Sequence, residues 1–150
     1  MSSLLEVSIE PARDEDLPEI LALLERSGLP LTGYADHLST ALVGREAQRI
    51  VASAAIELYG PAGLLRSVAV DESWRGRSLG NRIVLAAMDL SRKHGAGTIY
   101  LLTESAQAFF ERLGFKSIPR SEVPAAVKAS LEFTIACPDT VQAMVLGEPG

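Results

Sequence analysis

Apolar and polar positions alternate along the chain with two different periods, which predict strands and helices in alternation. Runs rich in aliphatic and β-branched residues predict strands over residues 7–9, 40–43, 50–59, 64–70, 98–103, 115–118, 131–136 and 141–146. Apolar spacings of three and four predict helices that begin near Asp14 or Asp16, at Leu79, at Ser105 and at Glu122. This order predicts a single α/β domain (α+β in character) built on a mixed sheet.

Two turns set the predicted pairing of the strands. Gly44-Arg45-Glu46 is predicted to connect the second and third strands, and Gly60-Pro61-Ala62-Gly63 the third and fourth. A four-residue turn over 60–63 places Glu57 opposite Arg66. Residues 31–40 have no clear period and are predicted as a short helix or loop, which either covers a substrate pocket or only connects two elements.

The run Arg75-Gly76-Arg77-Ser78-Leu79-Gly80 joins a predicted strand to the N-terminus of a predicted helix. Free backbone N–H groups and the helix dipole favour an anion at such a place, and arginines add charge-assisted hydrogen bonds to phosphate oxygens. The run has neither the Gly-Lys-Ser/Thr ending of a P-loop nor the spacing of a dinucleotide-binding loop. It therefore predicts a phosphate site of another kind.

This loop resembles the Arg/Gln-x-x-Gly-x-Gly/Ala signature of the GNAT superfamily of N-acetyltransferases. The segment 106–115, AQAFFERLGF, is similar to a second GNAT motif, A-x-x-F-Y-x-x-x-G-F, and follows the loop at the family's spacing. The resemblance covers about residues 6–146. It implies a GNAT-like single domain with splayed central strands, acetyl-CoA as co-substrate and a small amine as acceptor.

The resemblance also implies roles for individual residues. The backbone of Val68 and Val70 would bond the pantetheine arm of acetyl-CoA, and a backbone N–H near Val68 would face the developing oxyanion. The pyrophosphate would lie against the loop, and Phe110 would lie beside the cofactor. The loop residues with this implied role are Arg75, Gly76, Arg77, Ser78, Leu79, Gly80 and Asn81.

Two residues depart from the family pattern. Ser78 stands where the family has glycine, and its Cβ disfavours positive φ and narrows the approach of a phosphate. Phe110 stands where many members have a tyrosine that protonates the leaving thiolate. These departures leave a second function open, a non-catalytic acyl-CoA-binding or sensor module.

A narrower resemblance is to the arsenic-resistance subgroup of N-acetyltransferases. It is carried by the segments 57–60, 64–67, 119–124 and 137–138. It implies a role in resistance to an arsenical or an antimetabolite.

Candidate acid–base residues follow from the chemistry of acetyl transfer to an amine, which is mostly protonated at neutral pH. Glu57 is the first candidate base, with Arg66 either forming a simple cross-strand ion pair or recognising a carboxylate on the acceptor. Glu104, at the end of a strand, is the second candidate, although capping of the next helix explains it equally well.

Other reactive side chains are assigned structural roles. Tyr100 is predicted to pack in the core, Glu132 to face solvent and Cys137 to be inert. His37 and His94 are predicted to be unpaired, with His94 complementing a helix dipole. No spacing of cysteine, histidine and carboxylate residues predicts a metal site.

Composition limits the class of protein. The chain has 150 residues, a formal net charge of −5 and a sequence pI near 5.0, which argue against nucleic-acid binding. The N-terminus has no signal-peptide pattern, and no apolar run is long enough for a membrane helix. A single cysteine suits a reducing cytoplasm. Acidic charge and apolar strands permit a homodimer without requiring one.

Overall fold

A seven-stranded sheet forms the centre of the computed structural model, which describes residues 7–76, 78–130 and 141–147. The strands are β1 (Val7–Pro11), β2 (Ala41–Glu46), β3 (Arg49–Tyr59), β4 (Ala62–Val70), β5 (Thr98–Thr103), β6 (Lys116–Ile118) and β7 (Gln142–Leu146). The α-helices are α1 (Leu17–Arg26), α2 (Leu79–Lys93), α3 (Gln107–Arg112) and α4 (Ala125–Lys128). Short 3-10 helices cover Asp14–Asp16, Ala35–Thr40, Glu72–Trp74 and Arg120–Glu122.

The strand order is β1-β2-β3-β4-β5-β7-β6. Strands β1 to β4 pair antiparallel, β4 and β5 pair parallel, and β5, β7 and β6 pair antiparallel. The mixed α/β sheet predicted from the sequence is therefore confirmed. No helix in the described part of the chain is long and apolar enough to cross a membrane.

Helices cover both faces of the sheet because each presents one apolar stripe. On one face, α2 buries residues such as Ile83 and Val84 against Ile56 and Leu65. On the other face, α1 buries Ile20, Leu23 and Leu24 in a second cluster that includes Ala55. A third cluster joins Val127 of α4 to Leu64. Ala55 pairs with Arg66, and Leu64 pairs with Glu57, so all four residues lie on one face of the sheet. The second cluster, which contains Ala55, and the third, which contains Leu64, therefore lie side by side on that face.

The predicted turn at Gly44-Arg45-Glu46 is wrong, since all three residues lie within β2. A Cβ on Gly44 would lie 3.0 Å from the Cβ of Ala52 across the strands, so glycine here allows close packing. The chain turns at Ala47 and Gln48 instead, with Ala47 at φ +54°.

The register of β3 and β4 also differs from the prediction. Tyr59 pairs with Ala62, so Gly60 and Pro61 form a two-residue turn, and Glu57 faces Leu64 rather than Arg66. Further along, Ser67 and Val68 stand opposite the single residue Ala54, which is a β-bulge. Ser67 has φ +58°, the left-handed conformation that suits such a bulge.

Three smaller predictions can be compared with the structure. Residues 35–40 form a 3-10 helix, within the segment predicted as short helix or loop. Ser105 is not the cap of α3, because Ala106 holds that position and its N–H is bound by the Thr103 hydroxyl, at 3.0 Å. Residues 131–136, which are predicted as a strand, lie outside the described residues, and β7 pairs with β5 and β6.

Strands β4 and β5 pair over only four residues before they separate. Their ladder runs from Ala62–Thr98 to Leu65–Leu101 and ends there. The β-bulge of β4 begins two residues later. Because a bulge bends and twists its strand, the far ends of β4 and β5 diverge and open a wedge in the sheet.

Candidate active site

The wedge between β4 and β5 forms a cleft with a volume of about 1000 Å³. Residues 65–70 of β4 make one wall, and residues 101–106 make the other. The loop 75–80 and the face of α3 close one end, and Gly28-Leu29-Pro30 lies at its border. A cleft at the carboxyl ends of two parallel strands is a common place for a ligand in α/β sheets.

The loop after β4 presents backbone donors at one end of the cleft. Helix α2 begins at Leu79, so the N–H groups of its first turn, including that of Asn81, have no partner within the helix. Gly76 and Ser78, with φ +78° and +65°, turn the chain into that helix. Arg75 is exposed, and its Nε donates to the carbonyl of Val70 at 3.2 Å. Arg77 lies outside the described residues.

Gly80 lies where the loop packs on an aromatic pair. A Cβ at Gly80 would lie 3.4 Å from Phe109 and 3.7 Å from Val70, so the glycine keeps α2 close to the wall of the cleft. Phe110 is buried, lines the cleft and contacts Phe109 edge to face, with 5.0 Å between ring centroids. Its ring contributes an apolar wall and has no ionisable proton to donate.

The wall formed by β4 offers an open strand edge. Val68 and Val70 are half-buried and line the cleft beyond the last residue that pairs with β5. An extended chain can bond to such an edge as an added strand does. The residues present thus fit acetyl-CoA: a strand edge for its arm, and helix N–H groups with an arginine for its phosphates.

A buried ion pair lies beyond the point where β4 and β5 meet. Arg66 Nη1 donates to Glu57 Oε2 at 2.7 Å, and the two side chains are 0 % and 1 % exposed. The pair is diagonal rather than directly opposite, because Ala55 faces Arg66 and Leu64 faces Glu57. It fills the junction between the second and third apolar clusters, and Arg66 also borders the cleft.

Four further residues contact this pair. The Ser130 hydroxyl donates to Glu57 Oε1 at 2.6 Å, and the Tyr59 hydroxyl donates to the same oxygen. His37 Nε2 lies 3.5 Å from Glu57 Oε2. Arg66 Nη2 donates to the carbonyl of Thr32 at 2.8 Å. We call Thr32, His37, Glu57, Tyr59, Arg66 and Ser130 the Glu57 cluster.

Opposing influences set the pKa of Glu57. Burial alone would raise it, but hydrogen bonds from Ser130, Tyr59 and Arg66 outweigh burial and hold the pKa below its ordinary value. Burial, followed by the bond to this carboxylate, raises the pKa of Tyr59 to about 12. Glu57 is therefore ionised at neutral pH, and Tyr59 keeps its proton.

Comparison with known proteins places the chain in a family. The model of the acetyltransferase (GNAT) domain matches residues 37–117, more than half of the chain. The chain belongs to the GNAT acetyltransferase family. It is an N-acetyltransferase, as both motifs of the sequence indicate.

Relatives of this GNAT enzyme act on different amines. Glucosamine 6-phosphate N-acetyltransferase of Trypanosoma brucei brucei is 27% identical over 141 residues, covering 80% of this chain and 96% of that protein. N-acetylglutamate synthase from Neisseria gonorrhoeae, solved with coenzyme A and N-acetyl-glutamate, matches with a TM-score of 0.81 and 22% identity. That match covers 93% of this chain and 34% of the synthase, so the chain spans about a third of its length.

A third similar structure is of comparable size to this GNAT chain. It is the Mycobacterium tuberculosis protein Rv2747, solved in complex with CoA and NLQ. The TM-score is 0.78 at 21% identity, and the match covers 93% of this chain and 98% of that one. The likeness to both solved structures shows that the GNAT fold extends over nearly the whole chain.

Glu104 lies apart from the Glu57 cluster. It follows the end of β5, is exposed, and is the one carboxylate among the described residues that line the cleft. Strands β4 and β5 run parallel, so their carboxyl ends, and with them Glu104 and the phosphate loop, lie at the same end of the GNAT cleft.

Four members of the Glu57 cluster were left out of the site that the sequence predicts. The predicted lack of a partner for His37 is wrong, and Thr32, Tyr59 and Ser130 carried no signal of their own. Only the apolar and polar alternation of β3, which places Glu57 and Tyr59 on one face, linked any two of them.

The remaining assignments are structural. Tyr100 is 2 % exposed, as predicted for a core residue. His94 follows the last residue of α2 and is exposed. Glu132 and Cys137 lie outside the described residues. Among the residues that the structure describes, no group of three histidine, cysteine or acidic side chains is arranged to hold a metal ion.

Proposed function

We propose that this GNAT enzyme transfers the acetyl group of acetyl-CoA to the amine of a small molecule. One observation carries the proposal: a single cleft runs from the N-terminus of α2, along an open strand edge, to Arg66, whose guanidinium is bound to the buried carboxylate of Glu57. From Val70 to Leu65 the strand spans roughly 16 Å. A substrate that is anionic at one end and reactive at the other suits this order of features.

The residues of the cleft divide the work of binding. Gly76, Ser78, Leu79, Gly80 and Asn81 would hold the pyrophosphate through backbone N–H groups, aided by the guanidinium groups of Arg75 and Arg77. The backbone of Val68 and Val70 would bond the pantetheine arm, and Phe110 would pack against it. The thioester would then lie near the bulge at Ser67, one residue from Arg66.

Catalysis requires removal of a proton from an ammonium group with a pKa near 10.4. Glu57 and Glu104 are the candidate carboxylates that we propose for this task, and each would act directly, through water or through a neighbouring side chain. Arg66 would act through Glu57, because its guanidinium is buried and already bound to that carboxylate. A leaving thiolate with a pKa near 8.5 needs little help from an acid, so Phe110 does not bar transfer.

An acyl-CoA-binding module without turnover is the second candidate. The low pKa of Glu57 and the missing hydroxyl at Phe110 favour it, since both weaken acid–base chemistry. A role in resistance to an arsenical or an antimetabolite is a finer hypothesis. It rests on the resemblance of the segments 57–60, 64–67 and 119–124, and on 137–138 outside the described residues.

Calorimetric titration with acetyl-CoA tests the cofactor site first. We expect micromolar binding by the wild type and at least a hundredfold loss in Gly80→Asp, because a carboxylate would enter the proposed phosphate site and repel the phosphate oxygens. Gly97→Asp is the matched control, since nothing lies within 4 Å of a Cβ there. Its binding should stay within twofold of the wild type.

Release of free CoA with amino sugars, amino acids and simple amines tests transfer. Acceptor-dependent release supports the enzyme, and binding without release by any acceptor supports the sensor. If no variant binds acetyl-CoA, both candidates are rejected.

A further inference from the structure

The proposed function, on which this inference rests, places the thioester near the bulge at Ser67, one residue from Arg66 of the Glu57 cluster. The bulge of β4 and the end of the β4–β5 ladder both lie at residues 65–68. An acceptor amine must approach this point to reach the acetyl group. Arg66 borders the cleft there, and its guanidinium binds Glu57 and the Thr32 carbonyl. Through Arg66 the cluster reaches the wall of the cleft, and Glu104 is the carboxylate that lines the cleft itself.

Few side chains of this cluster can touch an acceptor. Glu57, Arg66 and Ser130 are at most 4 % exposed and are bound to one another. Tyr59 is half-buried, but its hydroxyl proton is already given to Glu57 and its pKa is raised. His37 remains, with 28 % of its side chain exposed and one ring nitrogen facing the buried carboxylate.

We propose that His37 accepts the proton of the acceptor ammonium and that Glu57 is the positioning residue that holds its imidazole. The Nε2 atom faces Glu57, which fixes the proton of the neutral ring on that nitrogen and leaves the lone pair of Nδ1 free. The distance of 3.5 Å is longer than a formed hydrogen bond, and such contacts tighten when a substrate binds.

Protons and electron pairs are conserved in this transfer. Nδ1 takes a proton from R–NH₃⁺ and becomes part of an imidazolium, whose charge Glu57 stabilises. The nitrogen lone pair of R–NH₂ attacks the thioester carbon, the C–S bond breaks, and the thiolate of CoA leaves with the electron pair. The second amine proton goes to the thiolate, and the imidazolium returns its proton to water.

The charges around His37 are accounted for among the described residues. Glu57 of β3 faces the ring directly, while Arg66 of β4 and the hydroxyl of Tyr59 bind the same carboxylate from other sides. Asp36 precedes the histidine on its own 3-10 helix and is exposed. Glu104 is the competing base, because it lies in the cleft itself.

The test compares two histidine variants of the full chain. In His37→Ala we expect kcat to fall about a hundredfold, within the range for loss of a general base, while acetyl-CoA binding stays unchanged. Added imidazole should restore part of the rate, which a merely structural histidine would not allow. His94→Ala, the matched control, removes the other histidine of the chain and should keep the wild-type rate.

Three results would overturn the inference. The first is a wild-type rate in His37→Ala, and the second is a loss that imidazole does not restore although the variant binds acetyl-CoA. The third is an acid limb of the kcat/KM profile that persists in His37→Ala and disappears in Glu104→Gln. A wild type that transfers no acetyl group at all rejects the proposed function instead, so the two failures are distinct.

Discussion

The two ends of the cleft are built by different means. At the proposed phosphate end, a short stretch of chain between β4 and α2 presents mostly backbone N–H groups at a helix terminus. At the proposed acceptor end, side chains that are distant in sequence surround one buried carboxylate, and the Thr32 carbonyl accepts from Arg66. A backbone site tolerates changes of side chain as long as the chain keeps its course. A buried cluster does not, because each member satisfies another.

The largest effect on stability is expected at the acceptor end, in Arg66→Met. The substitution leaves the charge of Glu57 buried without its main partner, so the free energy of unfolding should fall by about 3–5 kcal/mol. Urea unfolding measures it. Arg13→Met, which removes ion pairs of an arginine 60 % exposed, is the control and should cost under about 0.5 kcal/mol.

Adding Glu57→Gln to Arg66→Met should recover part of the loss, because a neutral amide still accepts bonds from Ser130 and Tyr59. A fall of less than about 1 kcal/mol in Arg66→Met would contradict the burial of this pair and remove the contrast between the two ends.

A smaller effect compares two serines with the same unusual backbone. Ser67 and Ser78 have φ +58° and +65°, one at each end of the cleft. Ser78→Gly should raise stability by about 1 kcal/mol and tighten acetyl-CoA binding severalfold, because glycine adopts this conformation without strain. Ser67→Gly should gain nothing or lose about 1 kcal/mol, because the Ser67 hydroxyl accepts a bond from buried Arg66 Nε at 3.1 Å.

Thermal unfolding and calorimetry on both variants decide this comparison. Equal stabilisation by the two substitutions would mean that the hydroxyl at Ser67 contributes nothing to the cluster.

The smallest effect concerns a carboxylate beside the phosphate loop. Bonds from Ser73, and then the Arg26 guanidinium, lower the pKa of Asp71 from 3.8 to about 2. A lowered pKa stabilises the fold above the ordinary value, and this contribution is lost as the pH falls toward 2. Asp71→Asn should therefore cost about 1 kcal/mol at pH 7 and nothing at pH 2.

Unfolding curves measured between pH 7 and pH 2 test this dependence. Asp89→Asn, at an ion pair with Lys93 that is largely exposed, serves as control and should show almost no difference at any pH. A constant deficit in Asp71→Asn at all pH values would contradict the assigned pKa.

Prediction from sequence succeeded where the signal is local. Strand β5 and the start of α2 lie where the periodicity placed them. The turn at Ala47 was missed because alanine, unlike glycine or asparagine, does not indicate a turn with positive φ in the sequence. The register of β3 was missed because the turn has two residues, Gly60 and Pro61, rather than the predicted four.

The Glu57 cluster was only half predicted for the same physical reason. Glu57 and Arg66 are only nine residues apart in the chain, on either side of one turn. Even the wrong register therefore predicted that they lie close together. Ser130 lies 73 residues from Glu57 in sequence, and its hydroxyl has no special pattern around it. Only the tertiary fold brings His37 to this carboxylate and the Thr32 carbonyl to Arg66.

The short parallel seam between β4 and β5 has a mechanical consequence. Two half-sheets, β1 to β4 and β5 to β7, are joined through four residue pairs and then part. In the proposed binding mode, acetyl-CoA bonds to the open edge of β4 in place of the missing ladder and connects the two halves of the sheet. Ligand binding and stability are therefore linked. At a free concentration a hundred times its Kd, acetyl-CoA should add about 2.7 kcal/mol to the free energy of unfolding. Without acetyl-CoA, the edge of β4 beyond Leu65 has no ladder to β5, and the proposed binding mode would supply one.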